Sequence, residues 1–196
     1  MSARPPAPAV SRDRLQPALL DRLVDDEPSN PHEDAGRRTI TKSRLRQSVL
    51  RDLSWLLNAQ AGSFTHLDAD AFRHVFDSTL NYGVPPLSGQ LVSKVEPLDL
   101  QRLLREAIIR FEPRILPDSL QVRAVRSAKA GEEHNVLTFE VTGQLWAQPY
   151  PLELLLKTDV DFETGMVAVR DRDGTVVSSE RRVVLGAAAA SDAGEG

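Results

Sequence analysis

Apolar residues recur at helical spacing in two long stretches of this chain. Between residues 41 and 58, Leu45, Val49, Leu53, Leu56 and Leu57 fall at intervals of about one turn, which predicts an amphipathic helix with one apolar stripe. Between residues 97 and 112, Leu100, Leu103, Leu104, Ala107, Ile108 and Phe111 make a second stripe. Pro97 suits a first helical turn, and Pro113 ends the helix by pushing the residue before it out of helical geometry. A third helix is predicted over 70–80 from Ala71, Phe72, Val75, Phe76 and Leu80, with Asp68 or Asp70 as its cap. Asn81-Tyr82-Gly83 closes it, and Val84-Pro85-Pro86 prevents continuation.

From Leu120 the repeat changes from helical to alternating, the pattern of half-buried strands. Strands are predicted at 120–126, 136–146, 152–161 and 166–170, with 175–185 as a possible edge strand. Glu163-Thr164-Gly165 and Asp171-Arg172-Asp173-Gly174 supply hairpin-length turns, the second with an Asp-Gly pair. Helices first and strands afterwards, joined by short connections, predict an α+β fold with helices on one face of an antiparallel sheet.

The ends read differently. Three prolines in the first eight residues exclude regular structure there. Leu19, Leu20, Leu23 and Val24 then cluster in a short helix that stops before Pro28 and is set apart by the polar stretch 29–36. A helix of roughly two turns is marginal alone in water, so its leucines need either this chain's own core or another protein. Residues 186–196, nearly all Ala, Gly, Ser and acid, have the composition of a disordered tail. The organisation expected is thus a tail with a detached docking helix over 1–36, one α+β domain over 37–185 and a tail over 186–196.

Composition narrows the chemistry. The absence of cysteine excludes disulfides, thiolate nucleophiles and Cys-based zinc sites. No stretch is long and apolar enough for a membrane helix, and residues 1–10 lack the apolar core of a secretory signal, so a cytoplasmic protein without membrane insertion is expected. The net charge of −4 dictates no partner, and only 37–60, with six basic residues and one acidic, is positive. That is too little for a nucleic-acid face. The face carrying Lys42, Arg44, Arg46 and Arg51 is either solvated or meets an acidic partner. His32, His66, His74 and His134 lack metal-ligand spacing, no phosphate loop, dinucleotide fingerprint or nucleophile elbow is present, and 171–174 lacks the ligands of a calcium loop. No metal or cofactor is expected. A carboxylate pair drawn from Glu112, Asp118, Glu140 and Glu153 is the remaining enzymatic possibility, which spacing alone does not test.

Phe111-Glu112-Pro113-Arg114-Ile115 is the unusual corner. Proline fixes the backbone between a carboxylate and a guanidinium whose planar fork grips carboxylates or carbonyls in two places. Read physically, the corner is either a local salt bridge finishing a helix or a rigid contact site.

Taken together, these segments resemble the TssE family, baseplate subunits of bacterial type VI secretion systems related to a wedge protein of contractile phage tails. The resemblance is carried by Leu19-Leu20-Asp21-Arg22-Leu23 with Asp25-Asp26-Glu27-Pro28, by the run from Ser48 through Asp52 and Trp55 to Asn58, by Ser78-Thr79-Leu80-Asn81-Tyr82-Gly83-Val84-Pro85, and by Phe111-Glu112-Pro113-Arg114 with Leu116. Order and spacing agree from Leu19 to Arg172; Pro86 stands where the family usually has an acidic residue. The resemblance implies a non-enzymatic assembly role linking a baseplate wedge of TssF and TssG to the first ring of the TssB/TssC sheath and helping to initiate sheath assembly. It implies that Glu112, Pro113 and Arg114 are interaction residues, that Leu19, Leu20, Asp21, Arg22 and Leu23 dock on a TssF/TssG helical bundle, and that the sheet resembles the strand-sharing domain of sheath subunits. Older names in the family include the word lysozyme, which makes a peptidoglycan-cleaving muramidase the alternative.

Overall fold

Thr41 starts the longest helix, its hydroxyl accepting the Arg44 N–H at 3.2 Å, which satisfies one of the donors a helix start leaves open. In a computed structural model that describes residues 15, 17–23, 40–62, 67–68, 70–89, 91–125 and 135–177, four helices precede five strands. The helices are α1 (Leu19–Leu23), α2 (Lys42–Asn58), α3 (Arg73–Phe76) and α4 (Pro97–Phe111). The strands are β1 (Gln121–Val125), β2 (Val136–Leu145), β3 (Leu152–Asp161), β4 (Val167–Asp171) and β5 (Val176–Val177).

The sheet is an antiparallel meander in the order β1-β2-β3-β4-β5, so each strand pairs with its sequence neighbour through a short connection. Gly165 and Gly174 hold positive φ in the two later turns, +75° and +84°, a conformation other residues adopt only with strain. Register places Phe139, Val141 and Leu145 of β2 beside Leu154, Leu156 and Val160 of β3 on one face, and all six are buried. Helix α4 lies over β1 and α2 over β4, covering that face. Leu53, Leu56 and Leu57 of α2 and Leu104 and Ile108 of α4 are almost fully buried against it, each contributing roughly 1.5–3 kcal/mol of transfer free energy. The α+β architecture with helices on one face is the one the change of period predicted.

Two side-chain devices fasten α2 to the rest. Asn58, its last residue, acts as a substitute strand, donating to the Val167 carbonyl at 2.8 Å and accepting the Val167 N–H at 2.9 Å. Behind it, Gly83 runs against the chain leaving α2, with Val84 N–H donating to Ala59 O and Ala61 N–H to Val84 O, both at 2.9 Å. A Cβ at Gly83 would sit 2.3 Å from the Ala59 carbonyl oxygen, and φ is +123°, so only glycine fits.

The predicted helix over 70–80 is shorter than expected. Only Arg73–Phe76 is α-helical; Ser78 is extended, and a 3-10 turn follows at Thr79–Asn81. The Ser78 hydroxyl donates to Val75 O and accepts from Leu80 N–H, diverting the backbone from the helical ladder. Phe72 and Leu80, expected on the buried stripe, are 49% and 72% exposed, so no packing offsets that diversion. Asp68 shapes the preceding turn by accepting the Asp70 N–H and does not cap α3, whose flanking residue is Phe72. Helix α4 stops one residue early, at Phe111, with Glu112 as its cap residue. The proposed strand residues beyond Val177 and at Arg126, Val24 of the short helix, the linker at 29–36, residues 1–14 and the tail at 186–196 lie outside the described residues.

Candidate functional site

Helix α4 delivers Glu112 to the corner. The Glu112 N–H completes the helix by donating to Ile108 O at 2.9 Å, and the proline that follows turns the chain out. The next residues join the sheet: Trp146 N–H donates to Arg114 O at 2.7 Å, Leu116 N–H to Gln144 O at 2.9 Å, and Ile115 bridges Leu145. Arg114 is thereby held between the end of α4 and the end of β2.

The side chains close on themselves. Glu112 is 3% exposed, and its carboxylate is gripped in two places, Arg114 Nε to Oε1 at 2.7 Å and Nη2 to Oε2 at 2.5 Å, with the Arg114 backbone N–H also donating to Oε1. Pro113 is exposed at the apex. The same guanidinium reaches α2, Nη2 donating to Asp52 Oδ2 at 2.5 Å and Nη1 to Ser48 Oγ at 3.2 Å. Asp52 in turn accepts Nε and Nη2 of Arg51 at 2.9 and 2.8 Å, and Arg51 Nη1 donates to Asp21 Oδ1 of α1 at 2.5 Å. The Arg51 guanidinium lies over the Trp55 ring, 4.9 Å from its centre. The result is an alternating chain of charges, Glu112, Arg114, Asp52, Arg51 and Asp21, that ties α4, α2 and α1 together.

Burial opposes the Arg114 charge, but the Glu112 and Asp52 carboxylates outweigh it and hold its proton far more tightly than usual. Tyr82 stands beside the cluster with its ring edge-on to Phe111, centroids 5.3 Å apart. Burial, then the charges of Asp52 and Glu112, push its phenol above the ordinary value. Residues from all four sequence segments that carried the family resemblance therefore meet at one place. The corner does contain the local salt bridge: Glu112 is buried, and the Arg114 side chain, 23% exposed, has its guanidinium nitrogens bonded to Glu112, Asp52 and Ser48.

Sequence reasoning missed the Arg114–Asp52 tie, although Asp52 is the one acidic residue between 37 and 60 and so signals an internal partner. It also missed Arg46, which grips the Asp171 carboxylate with Nε and Nη2 and donates to the carbonyls of Glu153 and Leu155 at 2.8 and 3.1 Å. Arg46 and Arg51 are thus internal ties, which corrects the reading of their helix face as solvated; Lys42 and Arg44 are exposed.

Among α1 residues, Asp21 joins the charge chain, while Leu19, Leu20 and Leu23 are 71%, 41% and 73% exposed, and Arg22 is exposed as well. Of the carboxylates weighed for hydrolysis, Glu112 is paired and buried, Glu140 stands opposite Lys157, and Glu153 stands opposite Gln144. Among the described residues no cluster of His, Asp and Glu has the make-up of a metal site, and no helix is long and apolar enough to cross a membrane.

A family model described as baseplate wedge protein gp25 matches residues 43–150, more than half of the chain. That span begins in α2 and runs through the corner into the loop after β2. A chain in a solved structure titled "The baseplate complex from the type VI secretion system" aligns with 24% sequence identity over 60% of this chain and 93% of that one, with a TM-score of 0.40. No curated protein matches.

Proposed function

Because this chain belongs to the gp25 family of baseplate wedge proteins, we propose that it is a structural subunit of a type VI secretion baseplate, joining the TssF/TssG wedge to the first ring of the TssB/TssC sheath and helping sheath assembly to begin. The observation that carries this reading is the corner. Glu112 is spent inside the protein, locking the partly exposed Arg114 side chain in one orientation beside exposed Pro113. A rigid, pre-oriented arginine is what a polar protein contact requires, because little conformational freedom is lost when a partner arrives. The second proposed contact is α1, whose outward leucines suit the groove of a helical bundle with Asp21 and Arg22 at its rim.

This reading assigns no catalysis to the chain. A muramidase needs a protonated carboxyl facing a sugar cleft and a second carboxylate across it. Glu112 is instead buried, with both carboxylate oxygens bonded to the Arg114 guanidinium, so it faces no cleft. Tagged full-length protein drawn from a producing cell tests the assignment: it is expected to bring TssF and TssG with it, and sheath subunits when the sheath is present. Recovery without any of them, or clearing of purified peptidoglycan by the wild type and not by Glu112→Gln, would overturn it.

A further inference from the structure

Helix α1 is held to the body in an unusual way. No residue of α1 is buried, and its leucines point outward, so apolar packing contributes almost nothing to its position. Next to it, Leu15 is half-buried and its carbonyl accepts the Ile40 N–H at 2.9 Å, anchoring the chain before the helix. The ion pair that the described side chains of α1 make is Asp21 with Arg51.

The arginine is built as a receptor. Its Nε and Nη2 are committed to Asp52, which fixes the guanidinium plane, and the Trp55 ring supports one face. The remaining nitrogen, Nη1, points out to Asp21, and the side chain is 31% exposed. With Asp21 in place, the connected cluster holds three carboxylates against two guanidinium groups, so a further anion is repelled. With α1 withdrawn, the charges balance, Nη1 loses its acceptor, and the exposed Arg44, two turns earlier on α2, adds positive potential on the approach.

We infer that the Arg51 guanidinium seated on Trp55 is a binding site for a carboxylate of a partner polypeptide, a site that Asp21 fills in cis while α1 rests against the body. A protein that takes the α1 leucines pulls Asp21 away and opens the site, so the two contacts are made by exchange. The ligand is an Asp or Glu side chain, because a fixed guanidinium edge on an indole selects a planar anion. This does not depend on which machine the chain joins.

The test uses full-length isotope-labelled protein and a capped peptide with the sequence of residues 17–25, which carries Asp21 in its natural surroundings. The Arg51 Nε–H resonance reports binding. In the Asp21→Asn protein, where the cis competitor is weakened, the peptide is expected to bind about 5-fold or more tightly than in the wild type, since apparent affinity scales with the fraction of open sites. The same peptide carrying Asp21→Asn and Asp25→Asn should leave the resonance unmoved. Equal affinity for the two proteins, or an equal response to the neutral peptide, would overturn the inference. Loss of TssF/TssG recovery would leave this result untouched and bear only on the baseplate role.

Discussion

Two arginines fasten the chain around α2, and they do so under opposite conditions. Arg114 pairs with Glu112, a carboxylate removed from water, whereas Arg46 pairs with Asp171, whose side chain is 22% exposed, and with two backbone carbonyls. A buried carboxylate that loses its partner keeps its full desolvation cost, while a carboxylate at the rim recovers hydration. Under the proposed function, the corner is therefore a place where one side chain would serve both folding and recognition. The Arg46 tie joins α2 to β3 and to Asp171 at the end of β4.

Several substitutions separate these cases. Gly83→Ala forces a Cβ into the Ala59 carbonyl at a φ that alanine rarely adopts, and together with Arg114→Ala it should be the most damaging. Arg114→Ala is expected to cost about 3–5 kcal/mol by stranding Glu112, or roughly 6–20 °C in melting temperature for a chain of this size. Melting by circular dichroism would show it; a drop under about 1 kcal/mol would mean that Glu112 is well solvated. Arg46→Met should cost about 1.5–3 kcal/mol, the range for hydrogen bonds to charged groups.

That same variant has a pH signature. Arg46 and the Arg172 backbone N–H hold the Asp171 carboxyl below its ordinary value of 3.8, with Arg46 the larger cause. A depressed acid contributes stability above its unfolded value and loses it as pH falls through the folded value. Wild-type stability should therefore decline with acidification below about pH 4, and Arg46→Met should decline less over that window. Parallel curves for the two proteins would remove Arg46 from the account. Smallest of all, Leu19→Asp with Leu23→Asp touches only exposed positions and should move the melting temperature by no more than about 0.5 kcal/mol equivalent. Its effect should appear in the recovery of TssF and TssG.

Most of the fold was legible because it follows from period. Helices α2 and α4 and strands β2 and β3 have long runs of a single repeat whose apolar face is buried, so local pattern and packing agree. Helix α3 shows the converse. Its spacing was helical, but Phe72 and Leu80 find nothing to pack on, and the Ser78 hydroxyl wins the backbone. The corner was visible as a motif, since proline between opposite charges is conspicuous, but its partner Asp52 lies 62 residues from Arg114, and long-range pairing leaves no periodic trace. Arg46 and Asp171, 125 residues apart, were hidden for the same reason. Exposure of the α1 leucines was left open because a two-turn helix packs inward or outward with the same sequence.

The corner's folding role and its proposed recognition role are separable by a variant that removes its charge without stranding it. Replacing a buried ion pair by apolar side chains of similar volume is often neutral or stabilising, so Glu112→Met with Arg114→Met should restore most of the stability that Arg114→Ala loses, while Asp52 keeps Arg51. Capture of baseplate and sheath subunits by this double variant in a producing cell is the most direct measurement. The account predicts a protein that melts within a few degrees of the wild type and recovers neither TssF/TssG nor TssB/TssC; recovery of the same partners at wild-type levels would reduce the corner to a folding clamp and contradict it.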